Sequence, residues 1–188
     1  MGHSQVARAQ THERVLRVAA RRVREDGLEN PGVSELMREA GLTHGGFYKH
    51  FASREDLIRQ AAALALAKGT QQMAQAARTD EAEPLTGLIE AYLSRRHRDD
   101  PGTGCALVTL GSAAARGDNE LRDAYEEQVR QYLGLITELV PAGQDQRAEA
   151  ILVLSALVGG VLMARAVRDE NLSDELLTTL FDKLIERR

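Results

Sequence analysis

Residues 32–51, GVSELMREAGLTHGGFYKHF, decide the fold of this chain. In the first half, apolar side chains recur at helical spacing, which predicts a short helix with one buried face. Gly41 follows and can adopt the left-handed conformation that ends a helix. Thr43 can cap a second helix, whose Phe47 and Phe51 lie four residues apart and therefore face the same way. A helix, a glycine turn and a second helix with a polar outer face form the helix-turn-helix pattern.

The composition of the 188 residues favours an all-α protein. Hydrophobic residues make up 43% of the chain but aromatic ones only 4%, so the core must be aliphatic and rich in Ala, which favours helices. The single Cys excludes an intramolecular disulfide and fits a reducing, cytoplasmic location. The longest apolar run, Ala150 to Ala164, spans about 15 residues, fewer than a bilayer requires. It therefore predicts a buried helix, and we expect no membrane partner.

Charge is distributed unevenly along the chain. The formal net charge is −4, which argues against a wholly basic nucleic-acid binder. Residues 1–60 hold 10 Lys and Arg against 8 Asp and Glu, whereas residues 61–188 hold 14 against 20. The N-terminal part is thus mildly basic and the remainder acidic, so any contact with DNA is expected in the N-terminal part.

The order of the helical patterns predicts two domains. A first helix over residues 4–26 and the helix-turn-helix form an N-terminal three-helix head, with Asn30 and Pro31 opening the second helix. Ser53 caps a fourth helix that is expected to run to about Arg78 and to join head and body without a flexible linker. We therefore divide the chain into a helix-turn-helix DNA-binding domain, residues 1–53, and a helical ligand-binding and dimerisation domain, residues 54–188. Ser173 is the expected cap of the last helix.

Residues 11–57 resemble the DNA-binding head of the tetracycline-repressor-type (TetR) transcriptional regulators. The resemblance rests on Val15-Leu16-Arg17-Val18-Ala19-Ala20, Gly27-Leu28, Val33 through Gly41, Gly46-Phe47-Tyr48-Lys49-His50-Phe51 and Ser53-Arg54-Glu55-Asp56-Leu57. It covers about a quarter of the chain. Met37, Arg54 and the Pro31-Gly32 entry depart slightly from the family pattern. The rest of the chain is similar to the family only in being a helical body of suitable length.

The resemblance implies a transcriptional repressor that binds DNA as a homodimer. In such a protein, a small-molecule effector entering the body changes the distance between the two heads and releases a near-palindromic operator. The expected DNA-binding residues are Ser34, Thr43, His44, Gly45, Gly46, Tyr48, Lys49, His50 and Arg54. No cofactor and no metal are expected, because the sequence has neither a glycine-rich phosphate loop nor metal-ligand spacing.

Each of these head residues also has a purely structural interpretation. Thr43 can cap its helix without touching a phosphate, and Tyr48 and His50 can pack inside the head. Lys49 and Arg54 can be solvated surface charges. The two adjacent glycines, Gly45 and Gly46, either exclude bulk at the DNA or are a structural habit of the family.

In the body, the candidates for a ligand pocket are Met73, Tyr92, Cys105, Tyr125 and Met163, although such residues are more often core. Cys105 follows a glycine at a predicted helix start, where a helix dipole can activate a thiol, so a redox- or electrophile-sensing repressor is the alternative function. A buried, inert Cys105 is the simpler interpretation.

A pair of glycines inside the most apolar helix predicts a close helix crossing. We expect a dimer interface there, with the candidates Gly159, Gly160, Met163, Leu177, Leu180 and Leu184; an intramolecular crossing is the other interpretation. An enzyme is not expected, because the five His are scattered and no catalytic constellation is evident. A helical scaffold without a DNA role is the third interpretation.

Overall fold

The computed structural model describes residues 2–29, 32–142 and 145–187, and all regular structure in these ranges is helical. The α-helices are α1 (Gly2–Asp26), α2 (Val33–Glu39), α3 (Arg54–Ala67), α4 (Gly69–Ala77), α5 (Pro84–Tyr92), α6 (Arg95–Asp99), α7 (Ala106–Arg116), α8 (Asn119–Leu139), α9 (Gln146–Ala166) and α10 (Glu170–Glu186). Two 3₁₀ helices, His44–Lys49 and Pro101–Thr103, complete the order. The all-α fold predicted from composition is confirmed.

The head is built by α1, α2, the first 3₁₀ helix and the start of α3. Phe47 and Phe51 are 2% and 3% exposed, and their rings stack with centroids 5.7 Å apart. Gly41 has a φ of +72°, the left-handed turn that the sequence predicted between the two helices. Arg22 on α1 binds the carboxylates of Glu35 and Glu39, which fastens α2 to the first helix.

Several helix boundaries follow their predicted caps and others do not. The Ser53 hydroxyl accepts a hydrogen bond from the Asp56 amide at 3.1 Å, as expected of a cap. The prediction that Ser173 caps the last helix is wrong, because α10 begins one turn earlier and is capped by Asp169. Ser173 is instead buried and donates to the Ala164 carbonyl on α9. The predicted caps Asn30 and Pro31 lie outside the described residues.

The single long helix expected from Ser53 to Arg78 is interrupted at Lys68. There the chain passes directly beneath Tyr132 of α8: a Cβ built on Gly69 would lie 2.1 Å from the phenol oxygen. The interruption therefore coincides with the point where a tyrosine from a distant helix presses on a residue without a side chain.

The body packs α9 against α8, α10, α7 and the short α6. Along α9, Val153, Leu157 and Val161 are fully or almost fully buried, while Ile151 and Leu162 on its other side are 47% and 50% exposed. By length and composition this 21-residue helix, which extends beyond the apolar run of residues 150–164 at both ends, is apolar enough to cross a membrane. One such helix is weak evidence for a membrane span, since core helices of soluble proteins have the same composition.

Candidate nucleic-acid interface and body pocket

The polar face of the head is formed by the first 3₁₀ helix and the residues around it. Ser34, Thr43, His44, Gly45, Tyr48 and Lys49 are all exposed, and Tyr48 is 73% exposed although it follows the buried Phe47. Thr43 has an extended backbone at the start of the helix, and its hydroxyl makes no capping hydrogen bond. The side chains expected to contact DNA are therefore mostly presented on one surface, which we call the head face.

The head face offers donors and a positive charge but little fixed geometry. The helix has only six residues and is of the 3₁₀ type, consistent with two glycines weakening an α-helix there. Neither glycine is required by the fold, because a Cβ on Gly45 would meet nothing within 4 Å and one on Gly46 would make only ordinary contacts. Their backbone torsions are not in the left-handed region.

His50 and Arg54 are placed differently from the other predicted contact residues. The His50 ring is half-buried near His12, with ring centroids 6.3 Å apart, and its Nδ1 is buried without a hydrogen-bond partner in the described residues. Burial and the neighbouring Arg8 lower the pKa of His50. Arg54 donates to the carbonyls of Leu28 and Glu29 at 3.2 and 2.7 Å, so this guanidinium holds the loop between α1 and α2.

Arg8 is a head residue that the sequence patterns did not single out. Its guanidinium donates to the carbonyl of Lys49, so a second cation stands beside the end of the 3₁₀ helix. The two residues are 41 positions apart in the chain, so no local sequence pattern predicts the contact. Arg8 therefore adds to the positive charge at one edge of the head face.

In the body, a cavity of about 520 Å³ opens between α4, α5, α6 and the start of α7. Its buried floor includes Met73, Leu88, Tyr92, Cys105 and Tyr132, while its rim is formed by exposed polar residues. We call this cavity the body pocket. It contains three of the five predicted pocket residues, Met73, Tyr92 and Cys105.

The other two predicted pocket residues lie elsewhere. Tyr125 donates to the Leu107 carbonyl at 3.3 Å, between α7 and α8, and it is absent from the pocket wall. Met163 is 46% exposed on the outer side of α9. Helical periodicity could not separate pocket from surface for these two, because both lie on helices whose neighbours come from distant parts of the chain.

Cys105 stands at the N-terminal cap position of α7, as its sequence context suggested, and is 5% exposed. Its thiol lies 3.5 Å from the Tyr132 hydroxyl. Its backbone N–H donates to Nε2 of His97 at 3.0 Å, and Nδ1 of the same ring lies 2.7 Å from the Tyr92 carbonyl. His97 is therefore a neutral ring with its proton on Nδ1, and burial lowers its pKa.

The predicted dimer residues divide between the inside and the outside of the protomer. Leu177 and Leu184 are each 4% exposed, and a Cβ on Gly160 would come within 2.4 Å of Leu180 on α10. The close crossing at Gly160 is therefore intramolecular. Gly159 faces open space, since a Cβ added there would meet nothing within 4 Å, and Met163 is exposed on the same side.

The structure thus combines a helix-turn-helix head with a helical body that lines an open pocket. Residues 15–70 match the family model described as bacterial regulatory proteins, tetR family. The N-terminal head is therefore a DNA-binding domain of the tetR type. No curated protein matches the sequence well enough to count as a relative.

Solved structures of similar fold cover almost the whole chain. A TetR transcriptional regulator from Chloroflexus aurantiacus superposes with a TM-score of 0.78 at 20% identity, covering 95% of this chain and 96% of the other. A TetR-family regulator from Cytophaga hutchinsonii gives 0.77 at 17% identity and 96% coverage of both. The reduced form of NemR from E. coli gives 0.74 at 19% identity, covering 93% and 95%. These likenesses establish the fold of head and body together.

Proposed function

We propose that the protein is a cytoplasmic, dimeric transcriptional repressor that a small-molecule effector releases from its operator. The observation that carries this proposal is the coexistence of an exposed, donor-rich head face and a body pocket in one chain. The pocket is 520 Å³, within the range that encloses a small organic molecule. The proposed division of labour between residues 1–53 and 54–188 follows the same two features.

At the DNA, the head face would lie in the major groove. Thr43 and Lys49 would contact phosphates, which position the head without specifying sequence. His44 and Tyr48 are the exposed side chains that can reach base edges, and the bare backbone at Gly45 permits close approach. Ser34 would add a backbone contact from α2. Arg54 would act by holding the α1–α2 loop, and His50 by packing, rather than as the principal contacts.

A second copy would bind through the outer side of α9. Ile151, Leu152, Leu162 and Met163 are 41–50% exposed there, and Gly159 lies between them with no neighbour within 4 Å of an added Cβ. At 1.5 Å per residue these positions span about 18 Å of helix, enough for a helix-pairing surface. Two heads held in this way would read half-sites about 34–36 Å apart on a near-palindromic operator.

The route from pocket to head runs through the 3₁₀ turn Pro101–Thr103. Thr103 and Gly104 form part of the pocket wall, and Gln72 holds the Thr103 carbonyl at 3.0 Å. On the opposite side, the buried Arg24 of α1 donates through Nε to the Gly102 carbonyl at 2.7 Å. An effector that displaces this wall therefore also displaces the end of the head helix.

Gly102 also packs closely against the flexible ends of two α1 side chains. A Cβ at this position would lie 2.2 Å from the Glu25 carboxylate and 2.9 Å from Nε of Arg21. Arg24 is sequestered beside this turn, and desolvation lowers its pKa. A ligand that binds the displaced arrangement more tightly than the undisplaced one lowers operator affinity by the ratio of its two affinities. Gly102→Ala should accordingly weaken DNA binding without any effector present.

Fluorescence anisotropy with DNA from upstream of the protein's own gene tests the proposal. Wild-type protein should bind at low salt, and compounds that fill the pocket should release the DNA. Absence of binding at low salt would exclude the repressor. Leu162→Glu should convert the protein to monomers in sedimentation and weaken operator binding, whereas Leu172→Glu on α10 is the matched exposed control.

A second function is favoured by one observation, the position of Cys105 on the pocket floor. An α,β-unsaturated carbonyl compound in the pocket would meet the thiol, whose sulfur would add to the β-carbon as the carbon–carbon double bond opens and the thiol proton passes to the α-carbon. Cys105→Ser separates the two functions. A full response to every compound in the variant would exclude sensing by the thiol.

A further inference from the structure

Several hydrogen-bonding groups in the wall of the body pocket are already bonded within the protein. Both ring nitrogens of His97 are engaged, with the Tyr92 carbonyl and the Cys105 amide. The Ser94 hydroxyl donates to the Ala91 carbonyl at 2.8 Å, and Gln72 reaches the Thr103 carbonyl at 3.0 Å. These groups have little left to offer a ligand.

Tyr92 is the exception on the floor. Its side chain is 7% exposed, its ring lies edge-on to His97 at 4.5 Å, and its hydroxyl has no hydrogen-bond partner of good geometry in the described residues. The nearby groups are the Cys105 thiol and the Tyr132 hydroxyl, which lie 3.5 Å from each other. A buried hydroxyl without a hydrogen-bond acceptor is unusual in a folded protein. It indicates that this hydroxyl is available to donate to a bound ligand.

The protonation state of the two phenols makes them donors. Desolvation raises the pKa of Tyr92 and of Tyr132 well above the ordinary value for tyrosine. Both therefore keep their protons at neutral pH, and neither supplies a negative charge to a cation.

The charges around the pocket also favour an uncharged ligand. None of its wall residues is Asp or Glu, and the one formal charge in the wall, Arg96, stands on the exposed rim. A cation moved to the floor would find no carboxylate partner in the wall and would lose its hydration. Arg165 lies behind Gly104 and near Tyr92, but its guanidinium is held by the carbonyls of His97 and Arg98 and is not part of the wall, so the wall itself offers an anion a charged partner only at the rim.

We infer that the effector is an uncharged, largely apolar molecule with one carbonyl-type acceptor, which accepts a hydrogen bond from the Tyr92 hydroxyl at the pocket floor. Its apolar part packs on Met73, Ala76 and Leu88, and the polar rim closes over its outer end. Since the hydroxyl is shielded from solvent, a neighbouring side chain must turn aside before the ligand reaches it. The inference rests on the proposed effector site and specifies its chemistry.

Two fluorescent naphthalenes of similar size test the acceptor. Prodan carries a ketone, whereas N-phenyl-1-naphthylamine has no carbonyl, and the chain contains no Trp to interfere with either. Titration of the free protein should give tighter binding of prodan to wild type than to Tyr92→Phe by about tenfold, or ~1.4 kcal/mol. The amine dye should bind both proteins equally. The cationic N-(1-naphthyl)ethylenediamine should not compete with prodan.

Thermal unfolding of Tyr92→Phe is the second measurement. Because the hydroxyl has no well-formed hydrogen bond to lose, with only the weakly bonding Cys105 thiol nearby, the variant should melt at or above the wild-type temperature. A lower melting temperature would mean that the hydroxyl is bonded in the free protein, and it would overturn the inference. Equal affinity of prodan for wild type and variant, or no binding at all, would overturn it as well.

DNA binding, measured separately, distinguishes the two proposals. Prodan binding that depends on Tyr92 but leaves operator affinity unchanged supports the assigned ligand chemistry and rejects effector-driven release. If the protein binds DNA normally and other compounds release it, but prodan binds wild type and Tyr92→Phe with equal affinity, only the ligand chemistry is rejected.

Discussion

Replacing the two glycines of the first 3₁₀ helix with alanine should stabilise the protein and weaken its binding to DNA. Gly45 meets nothing within 4 Å of an added Cβ, and at Gly46 the nearest atoms are 3.7 Å away on Met37 and 4.0 Å away on Thr43. Neither position has a positive φ. Alanine therefore gains the usual advantage over glycine in a helix, about 0.5–1 kcal/mol at each site.

For a chain of this length, that gain corresponds to a rise in melting temperature of about 2–4 °C per kcal/mol. The effect on DNA binding has the opposite sign, because two methyl groups on the head face hold the backbone away from the groove. We expect a loss of at least about tenfold in affinity, ~1.4 kcal/mol, in the double variant Gly45→Ala/Gly46→Ala. A DNA fragment selected by the wild-type protein from a random library, titrated by anisotropy, measures it.

Gly134 provides the matched control. It lies exposed in the middle of α8, and its Cβ would also meet nothing within 4 Å. Gly134→Ala should raise stability by a similar amount and leave DNA affinity unchanged. If the head variant were stabilised and still bound DNA as tightly as wild type, the glycines would have no role at the groove. If it were destabilised, the space around these positions would be less open than the structure shows.

Four further predictions concern the charges and the packing. Lys49→Ala should flatten the dependence of log affinity on log salt by about one phosphate contact, a slope change of ~0.9, whereas Arg54→Ala should chiefly lower the melting temperature, because it frees the α1–α2 loop. An equal slope in Lys49→Ala and wild type would remove that lysine from the interface. Gly69→Ala should destabilise by about 1–3 kcal/mol in urea titrations, since its Cβ would lie 2.1 Å from the Tyr132 oxygen. His97→Gln should flatten the pH dependence of stability between its folded pKa and about 6.5.

The sign of the histidine prediction follows from proton linkage. Burial and the nearby Arg165 lower the pKa of His97 in the folded state, while Asp100 opposes them. Between the folded and unfolded pKa values the unfolded chain binds more protons, so stability is complete above the unfolded pKa and is lost as pH falls. His50, whose pKa is also lowered, contributes in the same window and should remain in the variant. Unfolding curves at pH 5 and pH 8 that differ equally in both proteins would contradict the assignment.

The local parts of the fold were predictable because short-range chemistry determines them. The spacing of Phe47 and Phe51 predicts a buried face, Gly41 predicts a turn, and Ser53 predicts a helix cap. The prediction for Ser173 was wrong because a serine near a helix start usually caps that helix, whereas this hydroxyl donates to a carbonyl of the preceding helix. Sequence spacing cannot distinguish a local partner from one across a helix crossing.

The parts that were missed depend on contacts between distant residues. Arg24 has the spacing of an outward-facing arginine, yet the body covers it to 8% exposure. Gly69 carries no signal of Tyr132 passing over it, 63 positions later in the chain. Three of the five pocket candidates line one cavity and two do not, for the same reason: residue type identifies a good pocket wall, and only the packing of α4, α5 and α7 selects which such residues share one cavity.

The hydrogen bond from Arg24 to Gly102 has a consequence for protein engineering. Regulators of this architecture invite chimaeras in which a foreign DNA-reading segment is spliced onto a chosen sensor at the junction near residue 53. Here the first helix is also bonded to the body, since Thr109 donates to the Arg24 carbonyl at 2.8 Å while the guanidinium donates to the Gly102 carbonyl. A working splice would have to transplant the complementary turn and the adjoining surface of α7 together with the reading segment. We expect a chimaera of two regulators to fold and bind DNA only if the first helix and the body surface that it contacts come from the same parent.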